Sequence, residues 1–184
     1  MKMKTYFLAL SILFLGSQSM PVLAQPTNAS LNKDEIYTLE IPAVDFDSTP
    51  GNFQKVIFQS QDSELTWTLI SAYIGEEMNL IHSAELVKTS EIPVQVFVKV
   101  SGAIATCLKV GQHAIMQTGN SFDIRLYYDP ESIPPQGVAC ADHVISFVKV
   151  IPLQVYGLDA GTYNYSVNGK LSGNFVLQAD NILP

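Results

Sequence analysis

The sequence predicts an all-β protein, and three patterns indicate this class. Apolar and polar residues alternate in short runs, most clearly over Phe122–Tyr128 and Pro93–Val100. Turn residues separate the runs, and the Asn168-Gly169 pair favours a hairpin because both residues tolerate positive φ. Helical periodicity is nearly absent after residue 24. Many short strands separated by turns are typical of a β-sandwich.

The segment that follows Tyr156 indicates which kind of β-sandwich the chain forms. Leu158, Gly161 and Tyr163 have the order of a tyrosine corner, in which the phenol hydroxyl bonds to upstream backbone. This corner is typical of immunoglobulin-like sandwiches. Residues 91–184 are therefore predicted to form an immunoglobulin-like antiparallel β-sandwich.

Residues 25–90 are predicted to form a small N-terminal β-module. Tyr37, Leu39 and Ile41 alternate with polar residues, and two further strand patterns follow before residue 75. A sheet this small needs a second layer to cover its apolar face. The stretch at 76–91 is interpreted as a strand after a turn, with a short helix as the alternative.

Residues 1–24 have the pattern of a signal peptide. Lys2 and Lys4 precede an apolar run, and Ala24 ends a segment that signal peptidase could cleave. The run is short for a membrane span, and no cysteine follows the cleavage site to carry a lipid. We therefore expect a secreted or periplasmic protein without a membrane anchor.

The charge balance bears on the class of partner. The chain has 10 basic and 17 acidic residues and a formal net charge of −7. Removal of the predicted signal peptide, with Lys2 and Lys4, would lower this charge to −9. Such a surface argues against nucleic acid and against anionic membranes as partners.

The two cysteines, Cys107 and Cys140, carry the main chemical hypotheses. An even count in an exported chain favours a disulfide, with two free thiols as the alternative. Cys140 and His143 could instead bind zinc or copper together with Cys107 and His113. The order of a copper-binding sandwich fails because no methionine follows His143. A disulfide with ordinary surface histidines is favoured, and no cofactor is predicted.

No motif of an enzyme class is present, so we expect a non-catalytic protein. The leading hypothesis is a binding module for an unknown protein or peptide. Its contacts would come from the loops at 103–113 and 129–142 or from an exposed strand edge. One alternative is a protease inhibitor acting through the loop at 129–139. The other is a metal carrier using Cys140 and His143.

The C-terminal part also resembles a known group of proteins. From Ile92 to Leu177 the chain is similar to uncharacterised bacterial secreted proteins with an immunoglobulin-like domain. The resemblance rests on the valine-rich strand after Pro93, on both cysteines, on the corner at Tyr163 and on the strand that ends at Leu177. It implies an exported sandwich in which Cys107 pairs with Cys140, and it implies no catalytic residue. The segment 103–106 departs from the acidic, glycine-containing turn of that group.

Overall fold

The computed structural model describes residues 30–33, 37–60, 66–140 and 143–183. The predicted signal peptide and the cleavage after Ala24 lie outside these residues. Within the described part of the chain, no helix is long and apolar enough to cross a membrane.

Eleven strands make up the described structure, together with one short 3-10 helix at Pro130–Ser132. In chain order the strands are β1 (Ser30–Lys33), β2 (Tyr37–Phe46), β3 (Thr49–Ser60), β4 (Thr68–Ile74), β5 (Ile81–Lys88), β6 (Val96–Ala105), β7 (Val110–Thr118), β8 (Ser121–Tyr128), β9 (Val144–Leu153), β10 (Gly161–Val167) and β11 (Leu171–Leu177).

The strands form three sheets, and two of these make the sandwich. One sandwich sheet has the order β5-β6-β9 and the other has the order β11-β10-β8-β7. Neighbouring strands are antiparallel except β8 and β10, which run parallel. The predicted all-β class and the β-sandwich are confirmed.

The core lies between the two sandwich sheets and follows from the alternation in the sequence. Every second residue of β6 from Val96 to Ile104 is buried, because a strand points successive side chains to opposite faces. Phe122, Tyr163 and Phe175 meet in this core with ring centroids 5.4 to 6.3 Å apart. The burial of these aliphatic and aromatic side chains is the main stabilising contribution.

The corner and the final hairpin have the geometry that their residues favour. The Tyr163 hydroxyl donates a 2.9 Å hydrogen bond to the carbonyl of Asp159, four residues upstream. Leu158 packs against the sandwich core. Asn168 and Gly169 have φ of 46° and 61°, so the turn between β10 and β11 uses the positive φ that this pair tolerates.

The sandwich begins before the boundary that was predicted between residues 90 and 91. The predicted boundary between residues 90 and 91 falls in the segment 89–95 that connects β5 to β6, yet these strands pair side by side in one sandwich sheet. β5 is a strand rather than the alternative short helix. The sandwich therefore begins about ten residues earlier than the sequence pattern indicated.

The N-terminal sheet has the order β1-β2-β3-β4 and packs against the outer side of β7 and β8. Tyr127 makes much of this contact and is only 1% exposed, although it points away from the sandwich core. A Cβ on Gly51 or Gly75 would lie within about 3 Å of the Tyr127 ring, so both positions require glycine. The outward side chain of β8 is thus covered by the N-terminal module.

Candidate interaction surface

β9 is an edge strand, and its free side is the longest regular edge of the sandwich. All ten residues pair with β6 in one unbroken register, from Val144 opposite Ala105 to Leu153 opposite Val96. Pro152 within this strand is compatible with either a bulge or an edge. The register passes through Pro152 without a shift, which excludes a bulge, and the strand order places β9 at the edge of its sheet.

The outward face of β9 is apolar and exposed. Val144 and Val148 are each 61% exposed, and Val150 is 55% exposed. These valines alternate with residues that point into the sandwich, of which Ile151 and Leu153 are buried. An edge strand with exposed apolar side chains is a site at which another chain can pair. We call β9 with its three exposed valines the β9 edge.

The inward side of the β9 edge holds a charged residue. Lys149 Nζ donates a 2.6 Å hydrogen bond to the carbonyl of Gly111 on β7, which closes part of the gap between the sheets. Burial lowers the pKa of Lys149. An inward charge of this kind limits uncontrolled pairing of an edge strand. β9 is therefore open for pairing mainly along its first half, from Val144 to Val148.

His113 lies near Lys149 and also points between the sheets. Burial, and then the positive charge of Lys149, lowers the pKa of His113 to about 4. The Nδ1 atom of His113 is buried without a hydrogen-bond partner among the described residues. His113 is therefore neutral at ordinary pH, and its protonation opposes the folded state.

A disulfide fixes the beginning of the β9 edge. Cys107 and Cys140 are bonded, with their Cα atoms 5.7 Å apart. The amide of Thr106 donates a 3.0 Å hydrogen bond to the carbonyl of His143, directly before β9. The pairing predicted from the cysteine count is thus present. The disulfide holds the turn after β6 against the segment that leads into β9.

The first of the two segments predicted as binding loops is shorter than the sequence indicated. Of residues 103–113, only 106–109 lie outside β6 and β7. β6 extends to Ala105 and therefore takes up residues 103–105 of the predicted loop. In the segment 129–142, residues 141 and 142 lie outside the described residues.

The proline-bearing loop at 129–139 is internally hydrogen-bonded. Asp129 caps the 3-10 helix by accepting from the amide of Glu131. The amide of Val138 bonds to the carbonyl of Pro135, and Gly137 between them has a φ of 88°. The tip of the loop is therefore a tight turn, whereas a protease cleft binds extended backbone.

The structure does not bring together the ligands of the metal hypothesis. Cys140 is in the disulfide, so neither it nor Cys107 offers a thiolate. His143 is exposed at the start of β9. Among the described residues, no group of three or more histidine, cysteine, aspartate or glutamate side chains could hold a metal ion.

A cleft of about 320 Å³ lies between the N-terminal sheet and the sandwich. Glu40 and Gln54 line one side, and Gly111 and Lys149 line the other. Lys55 spans this cleft in an ion pair with Glu131, and the hydrogen bond to Glu131 raises the pKa of Lys55. The cleft therefore contains part of the contact that docks the N-terminal module.

Two buried asparagines connect distant segments, and the sequence analysis missed both roles. The side chain of Asn168 accepts from the amide of Leu126 and donates to the carbonyls of Met78 and Leu126. The side chain of Asn181 bonds to Val94 and Val155. Asparagine in a turn or a tail is common, so no sequence signal marked these two as buried.

Comparison with known families supports the sandwich. Residues 98–177 match the family model of the ORF11 beta-sandwich domain. The matched segment begins inside β6, ends with β11 and covers less than half of the chain. Neither the curated proteins nor the solved structures gave a significant match. The match agrees with the fold that the resemblance implied, while the bacterial and exported origin stays a prediction.

Proposed function

We propose that this chain is an exported, non-catalytic binding module that captures an extended segment of a partner protein at the β9 edge. The observation that carries the proposal is the unbroken ten-residue edge strand with three exposed valines. Backbone groups on a free edge supply the affinity for an added strand, and side chains on alternate positions supply the specificity.

The disulfide supports both the location and the mechanism. Disulfides persist in oxidising compartments, which agrees with the predicted export. The bond between Cys107 and Cys140 also fixes the start of β9 before a partner arrives. A fixed edge loses little conformational entropy on binding, and this favours affinity.

The surroundings of β9 define where the added strand would lie. Lys149 is turned inward and bonded to Gly111, so the partner's backbone would pair mainly beside residues 144–148. The outward side chains of the partner would extend the apolar surface of Val144 and Val148. Such a partner segment has apolar residues at alternate positions.

Affinity isolation from the native source with three versions of the chain tests this function. Val144→Lys with Val148→Lys places charges on the β9 edge, while Ser172→Lys with Asn174→Lys places the same charges on exposed positions of β11. We expect the wild type and the β11 variant to retain the same partner and the β9 variant to lose it. Equal retention by all three would contradict the proposal.

A further inference from the structure

The cleft between the N-terminal sheet and the sandwich contains a buried polar group that the docking contacts do not use. Gln54 on β3 lines the cleft and is only 1% exposed. Its Nε2 atom donates a 2.6 Å hydrogen bond to the carbonyl of Gly51, and this bond fixes the orientation of the amide. The amide oxygen, Oε1, is buried and has no hydrogen-bond partner among the described residues. Such acceptors are rare in folded proteins, and a ligand with an N–H group would satisfy this one.

The backbone of β3 is irregular at this point and brings two successive side chains to the cleft. Lys55 has a φ of 48°, in the left-handed region that side chains other than glycine rarely adopt. The register between β3 and β4 shifts between Gln54 and Ile57. In a regular strand Gln54 and Lys55 would point to opposite faces, whereas here both line the cleft. Irregularities of this kind redirect side chains and are frequent beside active sites.

The charged side chains of the cleft leave an excess of negative charge. Glu40, Asp129 and Glu131 supply three carboxylates, while Lys55 and Lys149 supply two ammonium groups. Both lysines already have acceptors, because Lys55 pairs with Glu131 and Lys149 donates to a backbone carbonyl of β7. The cleft therefore has more acceptors than donors. It favours a cationic ligand that carries N–H groups.

The rest of the cleft wall is apolar. Pro42 from β2, Val110 from β7 and Pro130 from the 3-10 helix line it. The volume of about 320 Å³ is at the lower end of the range for ligand sites. The shape and the lining together indicate a small ligand in which a short alkyl chain is attached to the charged group.

We propose that the cleft binds a small free alkyl amine, with its ammonium group at Gln54 Oε1 and Glu40 and its alkyl chain against Pro42 and Val110. The ammonium group has three N–H donors, so it can satisfy the buried amide oxygen and the carboxylate together. Hydrogen bonds between an ammonium group and a carboxylate are stronger than those between neutral groups. The exposed valines of the β9 edge take no part in this site, so the amine site and the binding edge can be tested independently.

Nuclear magnetic resonance titration of the purified protein with n-butylamine, up to about 50 mM, tests the proposal. A phosphate buffer is needed because Tris is itself an amine. The side-chain amide signals of Gln54 should shift, and the backbone amides of Glu40 and Gly111 should give a dissociation constant on the order of millimolar. n-Butanol has the same alkyl chain without the charge, and butyrate has the opposite charge. Both should bind at least about 10-fold more weakly than n-butylamine.

Four variants examine the role of the charges and of the amide. Glu40→Gln removes one carboxylate and should raise the dissociation constant about 10-fold. Glu91→Gln is the matched control, because it removes the same charge at an exposed position that does not line the cleft. Gln54→Met removes the acceptor with little change of size and should weaken binding to a similar extent. Lys55→Met leaves Glu131 without its ion pair, so it should tighten the binding of an amine and weaken that of an anion.

A second titration identifies the source of the ammonium group. Putrescine represents a free amine, whereas lysine blocked at both its amino and its carboxyl end represents a side chain of a partner protein. We expect putrescine to bind more tightly. Tighter binding of the blocked lysine would assign the cleft to a partner's side chain and overturn the proposal of a free amine.

Three further results would overturn the proposal. The first is a Gln54 side-chain amide that does not shift with n-butylamine over the whole range. The second is butanol or butyrate binding as tightly as the amine. The third is wild-type affinity in both Glu40→Gln and Gln54→Met, with the fold of each variant verified by circular dichroism. If Gln54→Met does not fold, the comparison of Glu40→Gln with Glu91→Gln decides the third test.

Discussion

The hydroxyl of Tyr127 donates a 2.5 Å hydrogen bond to the carbonyl of Pro50, 77 residues earlier in the chain. This bond joins β8 of the sandwich to the N-terminal sheet, and the Tyr127 ring fills the space beside Gly51 and Gly75. The two parts of the protein are therefore docked by a specific contact as well as by their linker.

Replacement of Tyr127 by phenylalanine should weaken this docking. The change leaves the buried Pro50 carbonyl without its donor, which costs about 1–3 kcal/mol in the free energy of unfolding. Urea denaturation followed by circular dichroism measures the loss. Tyr156→Phe is the control, because Tyr156 is exposed and should change stability little. Equal stability of the Tyr127→Phe variant and the wild type would contradict this role.

Tyr127 also predicts a loss of stability in alkaline solution. Burial, and then the charge of Glu77, raises its pKa from 10.0 to about 12. Between these two values the unfolded chain loses the phenol proton and the folded chain keeps it, so stability falls as pH rises. Denaturation at pH 9 and pH 11 should show a larger decrease for the wild type than for Tyr127→Phe. The same decrease in both proteins would count against this assignment.

His113 predicts a loss of stability in acid. The unfolded chain takes up a proton near pH 6.5, whereas the folded chain takes it up only near pH 4. Stability should therefore fall as pH decreases between these values, by about 2 kcal/mol once solvent screening of the partly exposed ring is allowed for. His113→Gln should remove most of this dependence, and His82→Gln, at an exposed site, should retain it. Urea denaturation at pH 4.5 and pH 7 distinguishes the two variants.

The disulfide should contribute strongly to stability. Cys107 and Cys140 are 33 positions apart, and a loop of this length corresponds to about 3–4 kcal/mol in the chain-entropy description. The double variant Cys107→Ser with Cys140→Ser should show this loss in the free energy of unfolding. Reduction of the wild type should give a similar value. A loss below about 1 kcal/mol would mean that the disulfide at the start of β9 contributes little to the stability of the fold.

Asn168 should be the most sensitive polar residue in the sandwich. Its side chain satisfies three buried backbone groups, of Met78 and Leu126. Asn168→Ala leaves these groups without partners and should cost about 2–4 kcal/mol in the free energy of unfolding. Asn164→Ala, at an exposed position of the neighbouring strand, is the control for thermal denaturation. A similar small shift in both variants would contradict the structural role of Asn168.

The sandwich strands were predictable because each has one buried side. The alternation over Phe122–Tyr128 and over the valines before Val100 follows directly from the two-residue period of a strand. The tyrosine corner at Tyr163 was predictable for a similar reason, since the residues that form it lie within six positions of one another in the sequence. Local patterns of this kind determine which segments become strands.

The relationships between segments were less predictable. No pattern in β8 or β10 marks them as parallel neighbours, because strand direction depends on long connections. The pairing of β5 with β6 was not predicted, since the alternation in β5 is weak and β6 follows a proline-bearing turn. In the alternation of β8, Tyr127 falls on the side that points away from the sandwich core. Only the packing of the N-terminal sheet explains why it is buried.

The candidate site was likewise predictable in its local features and not in its contacts between distant segments. The sequence identified Cys107 and Cys140, and it left open whether Pro152 marks a bulge or an edge of its strand. It could not show that this edge is regular, or that Lys149 turns inward to bond Gly111 across the sandwich. Those features depend on contacts between β9 and residues 38 to 57 positions earlier in the chain.

Amide hydrogen exchange over residues 144–151 is the most direct test of the proposed binding edge. In the free protein, the amides on the open side of β9 should exchange rapidly, while those paired with β6 should be protected. In the complex with the isolated partner, the open-side amides should become protected, because an added strand satisfies them. Unchanged exchange along β9, with new protection confined to the segments at 106–109 and 129–140, would contradict the account and assign binding to the loops.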